Sequence, residues 1–215
     1  MRDGHTRPAA KLVHEELCIR FVNTVAWRLA DHQEDRIGTP ERLLAWLAAA
    51  GLVEPADVAR IRTRWKQAPR DAASFLNGAV TLREAIYSLL VARIKERRAD
   101  APSLDILNAH LTCQSPAAQL VATRKGLKCR GSKAAPGLFG PIAWSAATLL
   151  LGPRVRKIRQ CQDERGCGWL FLDESRAQNR RWCSMGDCGN LAKARRHYRR
   201  ATQASAARRR TPRKS

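Results

Sequence analysis

Acidic residues are scarce in this chain: 19 Asp and Glu stand against 40 Lys and Arg in 215 residues, a formal net charge of +21. Long apolar runs are missing too. The strongest, around Ile142–Leu151, is about half the roughly 20 residues that a bilayer-spanning helix needs. The opening MRDGHTRPAAKLVHEE has no apolar stretch of the kind a secretory signal carries. No repeat of solenoid period is present, and no nucleophile, paired-carboxylate or phosphate-loop motif. The expectation is a soluble cytoplasmic protein with no membrane partner that is not an enzyme. At 44% hydrophobic it still has the material for a core.

The positive charge is unevenly placed. Leu151–Ser215 holds 18 basic and 5 acidic residues, against 22 and 14 in the first 150. A basic end of this density points to a polyanion, with nucleic acid foremost. Four of the seven cysteines crowd into the same region, between 161 and 188. In a cytosolic chain that clustering favours a metal over disulfides.

The fold class expected is mainly α. A leader of residues 1–14 precedes a helical domain at 15–152, a small cysteine-bearing module at 153–203 and a basic disordered tail at 204–215. Within the helical domain, apolar spacing predicts a helix from about Glu15 to Leu29 and another capped by Thr39 with Pro40 at its first turn and Gly51 after its end. Glu54-Pro55 opens a third. A long helix follows over about Asp71–Arg98, then a short one from Pro102 to Leu111. Gln119–Arg130 reads as a minor β-hairpin around Lys125-Gly126, followed by a loose Gly131–Lys133 stretch, and 139–151 as a last helix that Gly152-Pro153 stops. Trp27, Trp46, Trp65 and Trp144 fall at apolar positions and are expected in the core. Cys18 is expected to be buried and inert. Cys113 and Cys129 flank the hairpin and could form a redox pair.

Cys161 and Cys167 form one pair, Cys183 and Cys188 another, with fifteen residues between the pairs. Zinc takes four thiolates tetrahedrally, and short loops within each pair let the sulfurs converge. The intervening GWLFLDESRAQNRRW reads as a hairpin, with Trp169–Leu172 as one strand and Arg180–Trp182 returning. Trp169, Phe171 and Trp182 would be a small apolar core. Asn190 to about Gln203 reads as a helix, so the order is treble-clef-like: knuckle, hairpin, second pair, helix. The bland alternatives are four unrelated buried thiols or disulfides. Four cysteines close the metal's sphere, which makes the expected single Zn2+ structural rather than hydrolytic. His197, nine residues past Cys188, is expected on a solvated helix face.

In the helix after Cys188, positions 192, 195, 196 and 199 share one face at helical spacing, so Arg195, Arg196 and Arg199 can present one basic stripe. Arg180, Arg181, Asn190, Lys193, Arg195, Arg196 and Arg199 are therefore the candidate contacts to double-stranded DNA, where Arg reads guanine and other basic groups hold phosphates. A solvated basic face is the alternative, as is a module for RNA or a protein partner, because fold alone does not decide function.

WLFLD-S-RRWCSM-CGN-AKARR resembles the zinc-finger family named for its Cys-Gly-Asn-Arg (CGNR) motif, and LCIRFVNT at 17–24 resembles the opening of the ABATE-type domain that precedes this finger. The resemblance implies a bacterial, stress-linked transcription regulator with the finger on DNA and the N-terminal domain sensing an effector. It also implies Cys161, Cys167, Cys183 and Cys188 as metal ligands. Leu191 stands where the motif has Arg, and Arg20 where the N-terminal signature often has Asp. Asn23 and Thr24, inside the signature, are candidates for a ligand pocket, against the commoner role of a buried Asn or Thr in satisfying backbone groups. A homodimer through the helical domain would extend the short reach of one finger on DNA.

Overall fold

The computed structural model describes residues 16–112, 119–123, 126–130 and 135–210. The expected leader, the Gly131–Lys133 stretch, Cys113 and the last five residues of the expected tail lie outside the described residues. Helix α1 (Leu17–Val22) is buried along Cys18, Ile19, Phe21 and Val22. It is shorter than its apolar pattern predicts. The Thr24 hydroxyl donates to the Phe21 carbonyl at 2.7 Å, and Trp27 takes a left-handed backbone with φ 55°. A side chain that competes for a helix carbonyl ends the helix there. Residues 25–35 instead form a two-stranded ladder, β1 (Val25–Ala26) with β2 (Glu34–Asp35).

Helix α2 (Pro40–Ala49) starts as expected: the Thr39 hydroxyl accepts from the Arg42 N–H at 3.2 Å. Gly51 follows its end at φ +74°, a conformation that favours glycine. Helix α3 (Pro55–Gln67) buries no residue completely, but Val58, Ile61 and Trp65 lean on the core. Helix α4 (Pro69–Ile94) is its axis. Ala72, Phe75, Ala79, Leu82, Ile86, Leu89 and Leu90 recur at three- and four-residue spacing and are buried against α1, α2, α5 (Ala101–Thr112) and α6 (Gly140–Leu151). By length and hydropathy alone α4 would also pass as a membrane span.

The hairpin expected at 119–130 is present as β3 (Gln119–Thr123) paired antiparallel with β4 (Gly126–Arg130). Trp46 and Trp65 pack on Phe21 and Phe75 at centroid distances of 5.3 and 5.4 Å. Trp144 departs from expectation: it is 51% exposed. The inner face of α6 is already taken by Ile142, Ala143, Ala146 and Leu149, which turns Trp144 outward. Cys18 is fully buried, and desolvation pushes its thiol up to about 12, so it stays protonated.

After α6, β5 (Ile158–Gln160) pairs antiparallel with β6 (Leu170–Leu172). This corrects the expected hairpin, in which 170–172 would pair with 180–182. Ile158 and Leu170 are both buried in the same core as α1, α4 and α6, whereas Arg180-Arg181-Trp182 has no apolar alternation to bury. Residues 173–180 are held by Asp173, fully buried: one carboxylate oxygen accepts from the Ser175 N–H and hydroxyl, the other from the Arg180 N–H. The final helix α7 (Asn190–Arg210) runs past Gln203. The first proline after Asn190 is Pro212, and ATQASAARRR is rich in strong helix formers with cations in the last turn, which the helix dipole favours. The disordered tail expected from residue 204 is thus helical as far as Arg210.

Candidate metal centre and nucleic-acid interface

Cys161 and Cys167 lie in the connection between β5 and β6, so the first pair is carried inside the hairpin rather than before it. The Cys161 N–H donates to the Trp169 carbonyl at 2.8 Å, closing the knuckle. Gly166 and Gly168 flank Cys167 at φ +89° and +64°. A Cβ at Gly166 would stand 2.6 Å from the Ala30 nitrogen, and one at Gly168 2.6 Å from the Leu29 side chain. Both positions therefore require glycine for conformation and for space. Cys183 precedes a tight turn capped by the Ser184 hydroxyl, and Cys188 sits just before α7, where the helix dipole favours thiolate charge.

The four sulfurs lie within 4.8 Å of one another, and all four residues are buried. Cys167 to Cys183 and Cys183 to Cys188 are each 3.8 Å apart. A disulfide would need about 2.05 Å. Four thiolates at about 2.3 Å from one centre in a tetrahedron have edges of about 3.8 Å, so the residues fit zinc. Hydrogen bonding from the Cys167 thiol pulls Cys161 below the ordinary thiol range, while the Cys161 sulfur holds Cys183 above it. Four sulfurs this close cannot all carry charge unaided, and a dication removes that conflict. Zinc bound here supplies a structural cross-link between the knuckle and the start of α7, with no open coordination position. Trp169 and Phe171 are buried beside the sulfurs as expected, but Trp182 is only half-buried.

The knuckle is seated on the segment after α1. The Arg28 and Leu29 N–H groups donate to the Cys167 and Gly166 carbonyls at 3.1 and 2.9 Å, and the Trp169 indole N–H donates to the Val25 carbonyl at 2.7 Å. Asn23 completes the seat: its Nδ2 donates to the Leu170 carbonyl at 2.8 Å and its Oδ1 accepts from the Leu170 N–H at 2.9 Å. Thr24, 4% exposed, also accepts from Arg83 at 3.2 Å. Asn23 and Thr24 therefore take the backbone-satisfying role, the commoner of the two readings weighed for them. Replacing Asn23 by Ala leaves both Leu170 groups without that partner. The expected loss is about 2 kcal/mol, a fall in Tm of roughly 4–8 °C in thermal denaturation; an unchanged Tm would show that Asn23 is not holding the knuckle.

Beneath this seat lies an ion network that spacing did not single out. Arg83, 3% exposed, donates to both Asp35 carboxylate oxygens at 2.8 Å and to Glu84 at 2.9 Å. Arg28 donates to Glu84 at 2.5 Å and to the Val22 carbonyl at 3.0 Å, and its guanidinium lies 3.9 Å over the Tyr87 ring. Tyr87 in turn accepts from Gln160 at 2.7 Å. A line of polar contacts thus runs from α4 to β5. The only hint in sequence is charge inside an apolar helical pattern, at Arg83-Glu84.

The basic residues divide. Arg181, Arg195, Arg196, Arg199 and Arg200 line one groove of about 340 Å³ between the knuckle and α7, with Trp182, Ala192, Gln162, Asp163 and Glu164. The helical stripe and the loop arginine therefore converge. Arg180 does not join them: it donates to the Cys183 carbonyl at 3.1 Å and stacks 5.1 Å from the Phe171 ring. Asn190 donates to the Gly186 carbonyl at 3.2 Å at the start of α7. Lys193 and His197 are exposed away from the groove. Leu191, in place of the motif's Arg, is 40% exposed.

A family model described as "Putative stress-induced transcription regulator" (ABATE) matches residues 15–153, and the model of the CGNR zinc finger matches residues 157–201. Among curated proteins, none matches the chain. The first of these models spans well over half of the sequence, and the second covers all four clustered cysteines. The chain belongs to the ABATE family and carries a CGNR zinc finger with one structural zinc site at its C-terminal end.

Proposed function

We propose that this chain is a non-enzymatic, zinc-dependent transcription regulator of the bacterial cytoplasm that binds double-stranded DNA through α7 and the adjoining groove. The observation that carries the reading is the convergence of five arginines on one groove fixed by a closed four-cysteine site. Zinc anchors the helix start and the knuckle to each other, so the groove keeps its shape when charge draws in a phosphate backbone. Lys193 and Arg195–Arg200 are exposed along the first three turns of α7, a helix about 30 Å long. That length suits a helix laid along a DNA groove, with arginines reading base edges and holding phosphates. Closed coordination favours a structural zinc over a catalytic one.

The test is replacement of Arg195 and Arg196 together by Ala, with DNA affinity measured by fluorescence anisotropy across a salt series. Removing two phosphate-contacting groups should lower the slope of log Kobs against log[salt] by about two units and weaken binding at least tenfold near physiological salt. Zinc content should remain at one per chain. Unaltered affinity would count against the reading.

A further inference from the structure

Resting on the DNA-binding reading above, we infer that the groove between the knuckle and α7 is a site for one unpaired nucleotide, its base stacked on Trp182 and its phosphate held by the arginines of α7. The first observation is shape. Beside the exposed face of α7, Arg181, Arg195, Arg196, Arg199 and Arg200 surround a concavity of about 340 Å³. That volume is at the small end of the ~300–1,000 Å³ of ligand clefts.

The second observation is the aromatic. Phosphate binding needs cations and donors; an indole brings one donor and, in addition, a large apolar face. Trp182 lines this groove, half-buried with one side packed on the cysteine cluster, whereas Trp169 and Phe171 are buried within that cluster. The Arg181 guanidinium lies over the Trp182 ring at 5.6 Å from its centroid and donates to Gln162 at 2.8 Å, so a base would stack in its place or beside it. An aromatic face bordered by guanidinium groups is the arrangement that holds unpaired bases, because every base has a face to stack and a phosphate alongside.

The third observation is an anion already in place. Glu164 lines the groove, and its carboxylate accepts from Arg199 at 2.6 Å, with both side chains more than 60% exposed. An ion pair so exposed to water is weak and opens readily. A nucleotide phosphate would take the carboxylate's place on Arg199, while the base fills the rest of the groove over Trp182. In this arrangement α7 rests on the paired DNA and the groove captures a base that has left the stack. The preferred target is therefore DNA locally opened or mispaired.

The experiment uses the full zinc-loaded chain and two 20-base-pair probes, one fully paired and one with three central unpaired nucleotides. The two carry the same phosphates, so differences in charge cancel. Fluorescence anisotropy should show the opened probe bound about tenfold tighter, the scale of one base–aromatic stack. Trp182→Ala should bring the ratio of the two affinities close to one, with zinc content measured alongside. Trp182→Phe, which keeps a stacking face and the packing, should retain most of the preference but lose the indole quenching that the opened probe produces in the unmodified chain. This second variant decides the matter if Trp182→Ala fails to hold zinc. Equal affinity for both probes, a preference that survives Trp182→Ala, or quenching unchanged in Trp182→Phe would overturn the inference and leave DNA binding standing. Failure to bind either probe would remove both.

Discussion

Stripping the metal with a chelator, or replacing Cys183 by Ser, should abolish the fold of the last third of the chain and lower Tm by at least 10 °C. Beside the cysteines the small C-terminal module buries only Trp169 and Phe171, because its Ile158 and Leu170 belong to the core of the helical domain. Structural zinc contributes about 10–16 kcal/mol in isolated fingers at neutral pH, more than such a unit has in reserve. The loss should spread to the N-terminal domain along a defined route. Once the knuckle relaxes, the Arg28 and Leu29 amides lose the Cys167 and Gly166 carbonyls as partners. Hydrogen exchange should therefore show these two amides opening on chelation while those of α4 near Leu82 and Ile86 remain protected. Zinc-free protein with an unaltered melting curve and unaltered exchange at Arg28 and Leu29 would refute this coupling.

Replacing Asp35 by Ala should destabilise the helical domain measurably. It leaves the Arg83 guanidinium, 3% exposed, with Glu84 as its remaining carboxylate. Removing one partner of a buried pair costs about 3–5 kcal/mol. Asp35 keeps 34% of its side chain in water, which reduces the expected loss to about 2–3 kcal/mol, or some 5–10 °C in Tm. The same network makes stability depend on acid. Burial alone would raise the Asp35 carboxyl, but the twofold hydrogen bond and charge of Arg83 outweigh it and hold the group below the ordinary carboxylate range. Glu84 is lowered in the same way, burial being outweighed by Arg28 and Arg83. A carboxyl with a lowered folded-state pKa binds fewer protons folded than unfolded, so its contribution is complete above about pH 5 and is lost as pH falls through and below pH 4. Urea denaturation at pH 7 and pH 3.5 should show a smaller difference between the two pH values in Asp35→Ala than in the unmodified chain. An equal difference would place the acid sensitivity elsewhere.

The zinc centre was legible because its determinants are local. Four cysteines in two close pairs restrict what the chain can do with them, and the sulfur positions follow whatever strands surround them. The convergence of residues 192, 195, 196 and 199 was legible for a similar reason, since helical period alone puts them on one face. The pairing of β6 was not. LFL is apolar enough to pair with either flank, and the choice of Ile158–Gln160 over Arg180–Trp182 depended on which partner could share a core with α1 and α4. The outward turn of Trp144 has the same origin, because an apolar residue on an apolar helix gives no sign of which face its neighbours will cover.

Asn23 carries the lesson furthest. Its place in a recognisable segment invited a ligand, and its partner turned out to be the backbone of a residue 147 positions away. Residue type and spacing by themselves determined the metal, its ligands, the helical character of the first domain and the basic face of α7, all of which rest on neighbours within a few turns of chain. Only the tertiary structure decided that the N-terminal signature forms the seat of the knuckle, that Arg28, Asp35, Arg83 and Glu84 form one network, and that Arg181 and Trp182 complete the groove. Those features join groups distant in sequence, and the free energy that selects them comes from burying and pairing surfaces that exist only once the chain has folded.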